Sequence, residues 1–177
     1  MKTKILIVLM MGLLVSCGDD NKKNEPEVKT VDTKPEIYEP ASFNAKFKDP
    51  MIAKIYDQYI VLKTNLVNSD AEKAQQNAKE LAGMLEGMEA ERELRQAAIK
   101  ISDVGDLEAQ REVFQYLTEG MIHLVKGKFS GDDIYVQYCP MAFNGNGAYW
   151  LSNEKEIRNP YFGEKMMSCG EVKEVLE

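Results

Sequence analysis

Two short stretches near the C-terminal end of the sequence combine a thiol with a thioether: Cys139-Pro140-Met141 and Met166-Met167-Ser168-Cys169. Sulfur donors of both kinds are soft and polarisable, and such a set favours Cu(I) over the hard divalent ions, which prefer oxygen. A thioether coordinates without losing a proton, whereas a metal-bound thiol is deprotonated outright. Cys139 and Met141 are two residues apart and can face one side of an extended strand end. Met166 and Cys169 are three apart and can share one face of a helical turn. Met167 then points to the wrong side of that turn and is a spare donor. The competing reading is a Cys139–Cys169 disulfide with the methionines as core filler. Both stand on the residues alone, and an oxidised pair can be the resting form of a redox-sensitive metal trap.

Other residues offer less. His123, the only histidine, falls two positions after Met121 on a helical stretch, so the two side chains diverge; it reads as a structural or surface residue. Met84 and Met88 share a helix face and read as core. Tyr149 and Trp150 either shield the sulfur region or pack a hairpin, and a cation–π contact to a bound ion is open to them. For catalysis, one histidine allows at most a Cys139–His123 pair, with nothing in the sequence to orient it. There is no H-E-x-x-H, no C-x-x-C and no phosphate-binding glycine loop, and the carboxylates are spread over solvated helix faces. The expectation is a non-catalytic protein.

The elements that must position the sulfurs begin after an N-terminal leader. Lys2 and Lys4 precede the apolar run Ile5–Val15, which is too short for a bilayer core of ~30 Å but suits a signal peptide. Leu14-Val15-Ser16-Cys17 resembles a bacterial lipobox, which implies cleavage after residue 16 and lipidation of Cys17, with membrane anchoring through more than one acyl chain. Gly18-Asp19-Asp20 resembles the acidic tag of surface-exposed Bacteroidetes lipoproteins. The expected location is therefore the outer membrane, on its periplasmic or cell-surface side. The net charge of −7 becomes more negative once the leader lysines are gone, which argues against nucleic acid as a partner. Residues 17–45, rich in Lys, Glu, Asp and Pro, read as a flexible linker, and 46–177 as a single domain.

Within that domain the pattern is mainly α. Asp49-Pro50 starts a helix whose apolar stripe is Ile52, Ile55, Tyr59, Leu62 and Leu66. Ser69 with Glu72 reads as a capping box for a second helix bearing Ala71, Ala74, Ala78, Leu81, Leu85 and Met88. A third covers about Glu89–Ile101 with Leu94, Ala98 and Ile101 inward. A fourth opens after Asp106 and carries Leu107, Phe114, Leu117, Met121 and Leu124. The spacing predicts an antiparallel bundle of four helices, or three if the second and third form one long bent helix. A small β-hairpin and loop region follows, from Ile134–Tyr138 and Ala148–Ser152 around the turn Asn144-Gly145-Asn146-Gly147. The two sulfur stretches flank it.

The run Y-V-Q-Y-C-P-M-A, then W-L-S, then I-R-N-P-Y-F-G-E-K-M-M-S-C-G-E-V resembles the signature of a bacterial domain family of unknown function. That family occurs in Bacteroidetes lipoproteins and fused to periplasmic adaptor subunits of heavy-metal efflux pumps. The likeness spans about residues 47–177. It implies that the C-P-M and M-x-x-C-G elements bind metal, here through Cys139, Met141, Met166 and Cys169 beside Pro140 and Gly170. The efflux context implies copper or silver handling, with Cu(I) as the expected ion and a periplasmic efflux adaptor as a partner. The expected function is to sequester Cu(I) or pass it to an export system. The alternative is an interaction module docking on an efflux or other envelope protein, braced by a Cys139–Cys169 disulfide.

Overall fold

The computed structural model describes residues 37–177; the leader, the lipobox and Cys17 lie outside the described residues. Four helices make the bundle: α1 (Pro50–Val67), α2 (Ala71–Met84), α3 (Arg92–Asp103) and α4 (Leu107–Val125). Each packs on the next as an antiparallel neighbour, and α4 returns against α1. The stripes read from the sequence are the buried ones, with Ile55, Tyr59, Leu62, Leu66, Ala74, Ala78, Leu81, Ala98, Ile101, Phe114, Leu117 and Met121 fully enclosed.

One detail differs from expectation, and one decides between the four-helix and three-helix alternatives. Ser69 is not the cap of α2: it adopts a positive φ of 58°, and the Asp70 side chain instead accepts from the Lys73 N–H at 3.0 Å. The carboxylate is a stronger acceptor for an orphan N–H than a hydroxyl, and Ser69 is left free for another partner. The second and third helical stretches are also separate helices. Gly87 takes φ 80°, which stops α-helical continuation, and a single turn of 3-10 helix, Glu89–Glu91, leads into α3.

Beyond α4 the chain turns to short strands. β1 (Lys46–Phe47) pairs antiparallel with β2 (Phe129–Ser130) and closes the foot of the bundle. β3 (Ile134–Cys139) and β4 (Ala148–Ser152) form the expected hairpin, in register from Tyr135 opposite Ser152 to Cys139 opposite Ala148. A third strand, β5 (Glu171–Leu176), adds antiparallel to the other side of β3, so β3 is central. β4 lies against α4 and buries Trp150 and Leu151. Among the described residues no helix is long and apolar enough to cross a membrane.

Part of the expected linker is packed. Tyr38 is 8% exposed; its backbone N–H donates to Asn68 Oδ1 and its carbonyl accepts from Asn68 Nδ2, both at 2.9 Å.

Candidate metal centre

Cys139 ends β3 and is fully buried, while Cys169 is half-buried immediately before β5. Antiparallel pairing of Tyr138 with Glu171 brings the end of one strand beside the start of the other. The two free thiols meet there with sulfurs 2.9 Å apart. The third strand, rather than the hairpin alone, makes this meeting. Gly170 permits it. Its φ is +149°, and a Cβ there would lie 2.8 Å from the Trp150 ring and 2.9 Å from the Tyr138 carbonyl oxygen, a passage that only glycine negotiates.

The two thiols share a hydrogen bond. The hydrogen bond with Cys139, reinforced by burial and by the charge of its neighbour, pushes the Cys169 thiol up to about 11. Around the pair the packing is aromatic. Trp150 is fully buried and meets Tyr161 edge-on at 6.0 Å, with Phe143 on Tyr161 at 5.3 Å. The Trp150 indole N–H has no hydrogen-bond partner.

The methionines are placed less uniformly. The strand ends at Cys139, and Met141 has helical φ/ψ (−88°, −11°). Strand parity therefore does not carry from Cys139 to Met141, and Met141 stands 54% exposed. Met166 closes a 3-10 turn, Gly163–Met166, and its carbonyl accepts the Cys169 N–H at 3.1 Å. The expected turn joining Met166 and Cys169 is thus formed. Met167 is engaged elsewhere, its thioether accepting from Arg158 Nη1 at 3.6 Å. Among the described residues no hydrogen bond joins a methionine sulfur to a thiol; the direct contact is between the two thiols. His123 is exposed and lines a different cleft, of about 280 Å³, with Glu89, Glu91 and Arg92. Among the described residues no group of three or more His, Cys, Asp or Glu side chains forms a metal-binding cluster.

Chemically, the pair stands between two states. Disulfide formation needs the sulfurs at ~2.05 Å. An ion held at a thiolate distance of about 2.3 Å, as for zinc, needs them wider apart than they stand here. The site can therefore close into a staple or open onto a soft ion. Two buried polar side chains at its back, Arg111 and Asn159, escaped the sequence reading. The Asn-Pro pair at 159–160 signalled a turn, but not a buried one, and Arg111 sits on an otherwise ordinary helix face.

Fold and site together define a helical bundle carrying a paired thiol on an appended three-stranded sheet. Residues 55–131 match the model of a family described as "Protein of unknown function (DUF3347)". The match runs from α1 to just beyond β2, so it covers the bundle and ends before both cysteines. No curated protein and no solved structure matches the chain.

Proposed function

We propose that this protein is a non-catalytic envelope lipoprotein, anchored through Cys17, that captures Cu(I) and either sequesters it or passes it to an efflux system. The observation that carries the reading is the 2.9 Å approach of Cys139 and Cys169, two thiols that the fold brings together before any ligand arrives. Capture exchanges thiol protons for the ion, because the ligands must be thiolates. Met141, exposed, and Met166, on the Cys169 turn, supply thioethers suited to the same soft ion. The likeness to domains fused to efflux adaptors supports transfer to such a partner.

The same thiol contact favours a second reading, an interaction module in which Cys139 and Cys169 are permanently oxidised to brace a docking surface. The two differ in what the reduced protein does. In a Cys17→Ser background, the reduced full-length protein is titrated with Cu(I) against a colorimetric chelator, alongside Cys139→Ser, Cys169→Ser, Met141→Leu and Met166→Leu. The soft-metal reading expects one Cu(I) per chain, lost in both cysteine variants and weakened in the methionine variants. Failure to compete with the chelator, together with a disulfide that resists mild reductant, would leave the module reading standing.

A further inference from the structure

We propose that Asn159 is a positioning residue for the dithiol: its side-chain amide holds Cys169 in register with Cys139. The inference deepens the soft-metal reading and rests on it for the identity of the ion, but not for the geometry.

Cys169 reaches Cys139 on a segment that enters β5 only at Glu171. Between Ser152, where β4 ends, and Glu171 the chain makes no sheet pairing, so strand hydrogen bonds do not hold the residue itself. Asn159 supplies that hold. It is fully buried, and its Nδ2 donates to the Cys169 carbonyl at 2.7 Å. Its Oδ1 accepts from the Tyr161 N–H at 2.8 Å and the Phe162 N–H at 3.3 Å. Its own N–H donates to the Met167 carbonyl at 2.8 Å, and its carbonyl accepts the Gly163 N–H at 3.0 Å. Four of these five bonds shape the loop. Only the bond from Nδ2 reaches the cysteine.

That loop is fastened to the bundle in turn. Arg111, 2% exposed on α4, donates from Nε to the Pro160 carbonyl at 2.8 Å. Its Nη2 donates to the Leu66 carbonyl at 2.9 Å and to Ser69 Oγ at 3.2 Å. The position of Cys169 is therefore referred, through Asn159 and Arg111, to the end of α1 as well as to the neighbouring strand. Fixing the thiol in advance removes ordering entropy that would otherwise oppose both disulfide closure and ion capture.

The selective variant is Asn159→Asp. The carboxylate keeps the Tyr161 and Phe162 N–H bonds but sets an acceptor against the Cys169 carbonyl, where a donor is needed. Asn159→Ser also keeps a turn-forming acceptor and is too short to reach Cys169, so it serves where the first variant folds poorly. The measurement is the equilibrium constant for closing the Cys139–Cys169 bond in glutathione buffers, in the full-length Cys17→Ser protein. One oxidised glutathione takes two electrons and two protons from the thiols, giving the disulfide and two reduced glutathiones. Leu94→Ala, in the bundle core between α3 and α4, controls for a general loss of stability. Both Asn159 variants are expected to lower the constant about tenfold, and Leu94→Ala to leave it unchanged while the protein remains folded. An unchanged constant in the Asn159 variants, or an equal fall in Leu94→Ala, overturns the proposal. Cu(I) uptake, measured in parallel, separates the two ideas. A lowered constant in a protein that takes up no Cu(I) sinks the metal reading and leaves the positioning role intact.

Discussion

The bundle and the sheet that follows it are held by different physics. In α1 to α4 the burial is apolar and spread along whole helix faces. Asp49, Asp70 and Asp106 cap three of the helices through side-chain bonds to the Met51, Lys73 and Ala109 N–H groups. In the sulfur-bearing end, single atoms matter. Phe143 and Asn144 both adopt left-handed backbone, with φ of 51° and 59°, costly for side-chain-bearing residues. Gln137, fully buried, extends Nε2 to the carbonyls of Glu154, Lys155 and Glu156. A core of stripes tolerates any residue of the right size and period, whereas a loop hung on individual hydrogen bonds tolerates few. The bundle is accordingly the platform, and the thiol pair is the part whose sequence is constrained atom by atom.

The largest effect should come from breaking the platform where it meets the loop. Phe114 is fully buried, stacks on Tyr59 at 5.3 Å and meets Tyr161 at 6.0 Å. Phe114→Ala should cost about 3–5 kcal/mol of unfolding free energy, read as a lowered urea midpoint. If the two regions were independent, the sulfur end would ignore this change. The contact with Tyr161 instead predicts that alkylation of the buried Cys139 thiol rises together with the loss of stability.

A smaller and more selective effect is expected for Arg111→Met. The variant removes a buried charge and its desolvation cost together, but leaves the Pro160 carbonyl unmet and takes from the Leu66 carbonyl one donor, the Ser69 N–H remaining. The net loss should be about 2 kcal/mol. Its distinguishing mark is a Cys139 that becomes reactive at denaturant concentrations where the helices, followed by far-ultraviolet circular dichroism, are still intact. Simultaneous loss of both signals would mean that Arg111 serves the bundle alone.

These two regions were unequally legible in the sequence, for the same reason that they differ physically. Helix stripes such as Ile55-Tyr59-Leu62-Leu66 repeat a period, and a period can be read without knowing the partner. The hairpin was legible too, from β-prone runs around Asn144-Gly145-Asn146-Gly147. β5 was not: Glu171-Val172-Lys173-Glu174-Val175 carries alternating charge on an edge, and its register with β3 shifts between Val136 and Gln137, a bulge that masks simple alternation. The approach of Cys139 and Cys169 was legible as a pairing of like chemistry on either side of a turn. The exposure of Met141 was not, because it depends on the strand stopping one residue after Tyr138. Nothing in the local pattern marks a buried arginine whose acceptors lie dozens of residues away, or an asparagine whose amide reaches across a loop to Cys169.

Next in size is a pH effect at the site. With its thiol pushed up to about 11 by Cys139, Cys169 should react with iodoacetamide about tenfold faster per pH unit between pH 8 and 10, since the thiolate is the nucleophile. An ordinary cysteine, with a pKa of ~8.5, levels off within that range. Cys139→Ser removes the largest cause of the shift, so its Cys169 rate should bend at lower pH. A wild-type rate already flat at pH 9 would break the coupling. The same proton sharpens the metal test, because Cu(I) affinity should rise with pH as the thiol proton becomes easier to displace.

The smallest effect tests a place where the bundle itself departs from the comparison. Lys63 on α1 is fully buried; its ammonium donates to the Tyr38 hydroxyl at 3.0 Å and lies 4.9 Å from that ring's centroid. The Tyr38 hydroxyl donates in turn to the Glu154 carboxylate. Burial lowers Lys63 to about 8 although Glu154 pulls it upward. Between that value and the ~10.4 of an unfolded lysine, the unfolded chain binds a proton that the folded protein does not. Stability must therefore rise as pH increases through this window, and the burial penalty is fully present below pH 8. Lys63→Met should abolish that rise and, at pH 7, be neutral or stabilising by about 1 kcal/mol, as for other buried charges replaced by apolar side chains. Urea midpoints at pH 7.5 and 9.5 for both proteins decide the matter. A Lys63→Met protein that is markedly weaker at pH 7 would show that the Tyr38–Lys63–Glu154 chain is a stabilising clasp on the N-terminal segment. The bundle would then share the atom-by-atom dependence that here belongs to the sulfur end.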